Sequence, residues 1–158
     1  MNHGDDMSVL VDALKDCGAL QFGDFTLASG AKSKYYIDIK KASTNPKVLK
    51  LIAESMAEQL RTMDVKVDRI AGIVLGSIPL ATALSLETGI PYVMVRKEKK
   101  DHGTGKMIEG VLNPGEKVLV VEDVITSAGS SVTSIGILRD AGAIVEDIFS
   151  VIDREAGG

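Results

Sequence analysis

The spacing of apolar residues changes along the chain, and each change marks an element. Between Met7 and Ala19, Val9, Leu10, Ala13, Leu14 and Cys17 recur at three- and four-residue steps, which predicts an amphipathic helix ended by Gly18. Phe25-Thr-Leu-Ala-Ser-Gly30 reads as a short strand and turn, and Tyr35-Tyr-Ile-Asp-Ile39 as a second strand. Together they predict a small N-terminal hood over one edge of a main sheet. Asn45-Pro46 is a helix start with Pro at the first helical position. Leu49, Ile52, Ala53, Met56, Ala57 and Leu60 then form one apolar helix face.

From Asp68 the pattern becomes alternating strand and helix. Ile70-Ala-Gly-Ile-Val-Leu75 is a buried strand, Gly76-Ser77 a turn, and Ile78 to Thr88 a helix ended by Gly89. Pro91-Tyr-Val-Met-Val95 is the next strand, and a polar segment with three glycines follows over 96–110. Asn113-Pro-Gly-Glu116 is a turn signal. Val118-Leu-Val-Val121 is a run of four aliphatic residues, the pattern of a strand buried on both faces. A helix from about Ser130 to Ala141, ended by Gly142, and a last strand from Ile144 to Ile152 complete the series. This alternation predicts an α/β fold: an open, mainly parallel twisted sheet flanked by helices. The expected organisation is one domain over 1–158, with the hood within 1–45 and the core sheet over 68–153.

Composition narrows the class. At 158 residues and 45% hydrophobic the chain is long enough for a substantial core and is not a disordered sequence. A formal net charge of -4 argues against a general nucleic-acid surface. No apolar run approaches the ~20 residues needed to span a bilayer, and Met1 to Met7 is polar and acidic, unlike a signal peptide. The single cysteine, Cys17, excludes an intrachain disulfide and a cysteine-based metal site, and is expected to be a buried, inert thiol. A cytoplasmic location is the expectation.

The chemistry gathers at strand ends, where open parallel sheets bind ligands. Glu122 and Asp123 end the aliphatic run; two ionised carboxylates suit a vicinal diol or a Mg²⁺ ion. Thr126-Ser-Ala-Gly-Ser130 follows, small and hydroxyl-bearing, at the start of a helix, which suits a phosphate. Neither a nucleoside-triphosphate P-loop nor a dinucleotide-fold glycine pattern is present. The segment Arg96 to Lys106 carries five Lys or Arg against two acidic residues, with His102 inside it and glycines at 103 and 105. That charge suits a polyphosphate, and those glycines suit a lid. His3 is expected to have no role.

These segments together resemble type I phosphoribosyltransferases. Glu122-Asp-Val-Ile-Thr-Ser-Ala-Gly-Ser130 is similar to their motif for phosphoribosyl pyrophosphate (PRPP). The run RKEKKDHGTG resembles the catalytic loop of the orotate phosphoribosyltransferase family; Phe25 to Gly30 and Lys34-Tyr-Tyr-Ile-Asp resemble its hood, and Ile152-Asp-Arg154 its last strand. The resemblance covers nearly the whole chain in the same order. It implies transfer of the ribose 5-phosphate of PRPP to orotate, giving orotidine 5′-monophosphate and pyrophosphate in pyrimidine (UMP) biosynthesis. It implies that Glu122 and Asp123 hold the ribose hydroxyls, and that the PRPP motif runs through Val124, Ile125, Thr126, Ser127, Ala128, Gly129 and Ser130, with Thr126 to Ser130 at the 5′-phosphate. Arg96, Lys100 and His102 would contact pyrophosphate, with Lys97 acting in a neighbouring subunit's site of a homodimer. Lys100, His102 and Asp123 would be catalytic, and Thr126 and Arg154 would meet orotate. Tyr36 would stack near the base or belong to the core. Mg²⁺ would be carried by PRPP and water, with no direct protein ligand.

The sequence departs from the family pattern in three places. Some relatives have a lysine where Ala28 stands, and some a lysine in the turn that here reads Gly76-Ser77. Lys97, Lys100 and Lys106 would then carry more of the pyrophosphate contact. Relatives usually continue with a further helical segment beyond the point reached by Gly158, which would leave some C-terminal packing absent or supplied by a partner. Two rival readings are a transferase for a purine or another pyrimidine, and a non-catalytic PRPP-binding regulator. The hood and Arg154 weigh against the first, and Lys100 and His102 against the second.

Overall fold

A computed structural model of the chain describes residues 3–27, 30–96, 106–125 and 129–153. Helix α1 (His3–Asp16) leads to an antiparallel pair, β1 (Leu20–Thr26) and β2 (Lys32–Ile37), which forms its own two-stranded sheet. A short α2 (Ile39–Ser43) and a long α3 (Pro46–Met63) follow. Next come β3 (Arg69–Ile73), α4 (Ile78–Thr88), β4 (Tyr92–Val95), β5 (Ile108–Glu109), β6 (Lys117–Ile125), α5 (Gly129–Asp140) and β7 (Ile144–Asp153). The main sheet has the order β5-β4-β3-β6-β7; β5 is antiparallel to β4 and the other neighbours are parallel. Among the described residues no helix is long and apolar enough to cross a membrane.

Local chemistry sets the helix ends. The Asn45 side chain accepts from the Val48 N–H at 3.2 Å, and Pro46 takes the first turn, where its missing N–H costs nothing. Helix α4 stops at Gly89, whose φ of 77° is open to glycine at little cost and whose N–H donates to the Ser85 carbonyl.

The sheet is covered on both faces, and β6 shows why its aliphatic run is unbroken. Leu119 and Val121 join Ile70 and Phe149 in a layer packed by Leu14, Ile52, Leu80 and Leu84 from α1, α3 and α4. Val118 and Val120 face the other way, with Ala71, Val93, Val95 and Leu138 of α5. Successive strand residues point to opposite faces, so a strand covered twice must be apolar at every position.

Several expected boundaries shift. β1 starts at Leu20, because Leu20 pairs with Ile37; its residues are mostly exposed, so no alternation marked it. β2 ends at Ile37, and Ile39 belongs instead to α2, where the Asp38 carboxylate accepts from the Lys40 N–H. β3 ends at Ile73 rather than Leu75. Two strand residues, Ile108 and Glu109, lie in what read as polar loop. β6 runs on past the acidic pair and stays paired with β7 to Ile125 (Val124 with Ile152, Ile125 with Asp153). Cys17 is half-buried rather than enclosed: its thiol donates to the Leu14 carbonyl and it packs on the edge of the core.

Ser77 explains the early end of β3. Its side chain is 1% exposed, and its Oγ accepts from the Ile73 N–H at 2.7 Å while donating to the Ile73 carbonyl at 3.2 Å. A side chain thus takes over the pairing that a continuing strand would have made, and the chain turns. Ser77→Ala leaves a buried N–H without that acceptor and is expected to destabilise the protein by about 1–3 kcal/mol. Urea unfolding monitored by circular dichroism measures it.

Candidate active site

The order of strands reverses at β3. From β3 the chain moves outward to β4 on one side, and it returns to place β6 on the other. A crevice at the carboxyl ends of β3 and β6 is the consequence, and this is where open α/β sheets bind ligands. Residues 74–77 after β3, Arg96 after β4 and the acidic pair on β6 all reach this edge.

Glu122 and Asp123 are neighbours in a paired strand, so their side chains leave opposite faces. Asp123 shares its face with Val121, on the α4 side, and its carboxylate lies against Gly76. Glu122 shares the face of Val120, on the α5 side, and is 7% exposed; its Oε1 accepts from the Asp123 N–H at 3.2 Å. Asp123 thus faces the turn after β3, and Glu122 leaves the opposite face of β6.

Arg96 is placed from both sides. Its N–H donates to the Met107 carbonyl at 2.7 Å, extending the β4–β5 pairing. Its Nε and Nη2 lie 3.2 and 3.1 Å from Oε1 of Glu109. Glu109 was not singled out in the sequence. The signal that could have found it is the apolar–acidic step Ile108-Glu109 just after the basic run, facing Met94 and Val95 in an antiparallel pair. The two ends of the segment 97–105 are thereby fixed side by side.

Of the other expected site residues, Lys97, Lys100, His102, Thr126, Ser127, Ala128 and Arg154 lie outside the described residues, as does Ala28 of the hood. Val124, Ile125, Gly129 and Ser130 are described in backbone only: the first two in β6 and the last two opening α5. Arg96, Ile125 and Asp153, the described residues just before 97–105, 126–128 and 154–158, end or follow parallel strands at or beside the same sheet edge. Tyr36 is 42% exposed on β2 with its ring 5.7 Å from that of Phe25, so it is not a core aromatic.

The described residues thus put the Asp123 carboxylate at the switch point of a mainly parallel sheet, with Arg96 at the end of β4 and the start of α5 near the same edge. In comparison with known proteins, residues 38–157 match the phosphoribosyl transferase domain, and the chain belongs to that family. Within it the chain belongs with the orotate phosphoribosyltransferases, enzymes of pyrimidine biosynthesis. It is 53% identical over 148 residues to the orotate phosphoribosyltransferase of Pyrococcus abyssi, covering 94% of this chain and 81% of the relative. The Mycobacterium tuberculosis orotate phosphoribosyltransferase in complex with Fe(III) dicitrate superposes with a TM-score of 0.80 at 34% identity, over 96% of this chain and 86% of that one. The same enzyme in complex with PRPP gives 0.74 at 30% identity, over 96% and 85%.

The Arg96–Glu109 pair is about one-third exposed on each side (35% and 34%). Solvent screening limits such a pair, so Glu109→Gln is expected to cost under about 1 kcal/mol in thermal unfolding. A severalfold larger loss would mean the pair is far better shielded than its exposure indicates.

Proposed function

We propose that this enzyme transfers the ribose 5-phosphate of PRPP to orotate at the crevice between β3 and β6, giving orotidine 5′-monophosphate and pyrophosphate. The observation that carries the reading is the Asp123 carboxylate fronting the crevice, with the half-exposed Arg96 at the end of the adjacent β4. The reading takes residues 1–158 as one phosphoribosyltransferase domain and places the reaction in the cytoplasm. A PRPP complex of a related enzyme supports PRPP as donor.

The bond from C1′ to the pyrophosphate oxygen breaks as the orotate ring nitrogen bonds to C1′. Positive charge develops on the ribose ring, and a negative carboxylate on its open side stabilises it. Asp123 takes that role in this reading, and Glu122 and Asp123 hold the ribose hydroxyls; Glu122 also accepts from the Asp123 N–H. Arg96, Lys97, Lys100 and His102 balance the leaving pyrophosphate. The hydroxyls and backbone donors of Thr126 to Ser130, at the start of α5, take the 5′-phosphate. Arg154 pairs with the orotate carboxylate, and its planar fork suits that geometry. Closure of the basic segment excludes water, which would otherwise hydrolyse PRPP. Orotate is already anionic, so no strong base is needed.

Mg²⁺ fits as an ion carried by the substrate. The two carboxylates of the acidic pair leave opposite faces of β6. Such a donor set suits a cation that keeps its waters and takes its remaining oxygens from pyrophosphate. When bound it would neutralise charge on the leaving group.

A homodimer with shared sites completes the reading. Helix α4 (IPLATALSLET) has no charge before Glu87; Leu80, Ala81 and Leu84 face the core, yet Leu86 is 84% exposed and Leu75, just before the helix, 74%. Exposed leucines beside and within a largely apolar helix suit a covered face, and a second copy of the chain is the cover proposed.

The deciding assay follows orotate loss with PRPP, with and without Mg²⁺, against a panel of bases. Turnover of adenine or another base without orotate would overturn the substrate. Lys100→Ala is expected to lose roughly a hundredfold in turnover while PRPP still binds in calorimetry; unchanged turnover would remove Lys100 from the mechanism. Leu86→Glu is expected to shift the dimer towards monomer in light scattering, and an unshifted dimer would place the interface elsewhere.

A further inference from the structure

Gly76 is where the two walls of the crevice meet. A Cβ built on Gly76 would overlap Oδ2 of Asp123 and lie 3.0 Å from its Cγ. The demand is for space and not for conformation, because Gly76 is not among the glycines with positive φ. Alanine could adopt its backbone but could not share its volume.

Neither wall can move aside cheaply. On the β6 side, Glu122 and Val124 are paired with Ser150 and Ile152 of β7, and Val121 with Gly72 of β3. On the other side the turn is tied down at several points. Val74 N–H donates to the Val95 carbonyl at 2.9 Å, Ile78 N–H to the Leu75 carbonyl at 3.2 Å, and the buried Ser77 hydroxyl holds both polar groups of Ile73. Gly72, behind the turn, is packed as closely: a Cβ there would come within 2.9 Å of Ala81 Cβ. A side chain at 76 must therefore be accommodated by rotation of the Asp123 carboxylate, the softest part of the contact.

We propose that Gly76 is a positioning residue, whose bare Cα leaves the space in which the Asp123 carboxylate is held at the mouth between β3 and β6, so that the two residues act on the ribose of PRPP as one unit. The inference rests on the role given to Asp123 above.

The test is a cycle of four proteins: the parent, Gly76→Ala, Asp123→Ala and the double variant, each with kinetics in PRPP and thermal unfolding. Gly76→Ala is expected to lower kcat/KM for PRPP roughly tenfold, the scale of a misplaced charged hydrogen-bond partner, with little change in Tm. In the Asp123→Ala background, the same substitution is expected to change kcat/KM by less than about twofold, because the group it displaces is gone. Equal effects in both backgrounds, or no effect of Gly76→Ala alone, would overturn the proposal. So would a loss that only follows a fall in Tm in both backgrounds. The crystal structure of Gly76→Ala reads the steric half independently of turnover: a rotated Asp123 carboxylate is expected, and an unmoved one overturns the inference whatever base the enzyme uses. If the parent turned over a base other than orotate, the substrate would be revised and the same cycle on that base would still decide the role of Gly76.

Discussion

The parallel pairing of β3 with β6 is the constraint on which the site depends. Both strands lie inside the sheet with helices over each face, so their backbone groups have no water to turn to and must find each other. Their register, Gly72 opposite Val121, then sets the height at which β6 emerges beside the turn that follows β3. A slip of one residue would exchange the faces of β6. Leu119 and Val121 would leave the layer under α4, and Glu122 instead of Asp123 would meet Gly76. Apolar burial at 118–121 thus does more than stabilise the fold: it decides which of two adjacent carboxylates fronts the crevice.

The same burial accounts for what the sequence revealed. Strands and helices around the apolar layers were legible because their constraint is periodic: Ile78 to Thr88 runs as expected, with Gly89 ending it, and Asn45-Pro46 opens α3. The acidic pair and basic segment were legible as charge placed after buried strands. Features held by single partners were not. Helix α2 is five residues long and rests on one Asp38 cap, too short for a period to show. β1 is mostly exposed and defined by its partner β2. How far β6 runs past Asp123 is set by β7 lying alongside, which the local pair Val124-Ile125 does not by itself decide. For the same reason the residues were identifiable but their orientation was not: side-by-side carboxylates and carboxylates on opposite faces have the same sequence.

The electrostatics of the crevice follow from this placement. The chain carries a formal net charge of -4, yet its proposed substrate, PRPP, is a polyanion. The overall charge is spread over the surface, and beyond a Debye length of about 8 Å at physiological ionic strength it is largely screened. What the substrate meets is local. Arg96 is tethered beside the crevice by the β4–β5 pair. Glu109 balances its charge, so Arg96 is held in place instead of being free to reach any anion. Asp123 adds a negative charge on the opposite wall, which would oppose pyrophosphate but favour a ribose ring that is losing it. In the proposed reaction, opposed charges on the two sides of one crevice would polarise the bond to be broken, and a carboxylate packed closely against Gly76 would need little reorganisation as the reaction proceeds. That is why a turn without a lysine is compatible with this chemistry. In the proposed reaction the cations for the leaving group come from the segment after β4, and the turn after β3 is left to place the carboxylate.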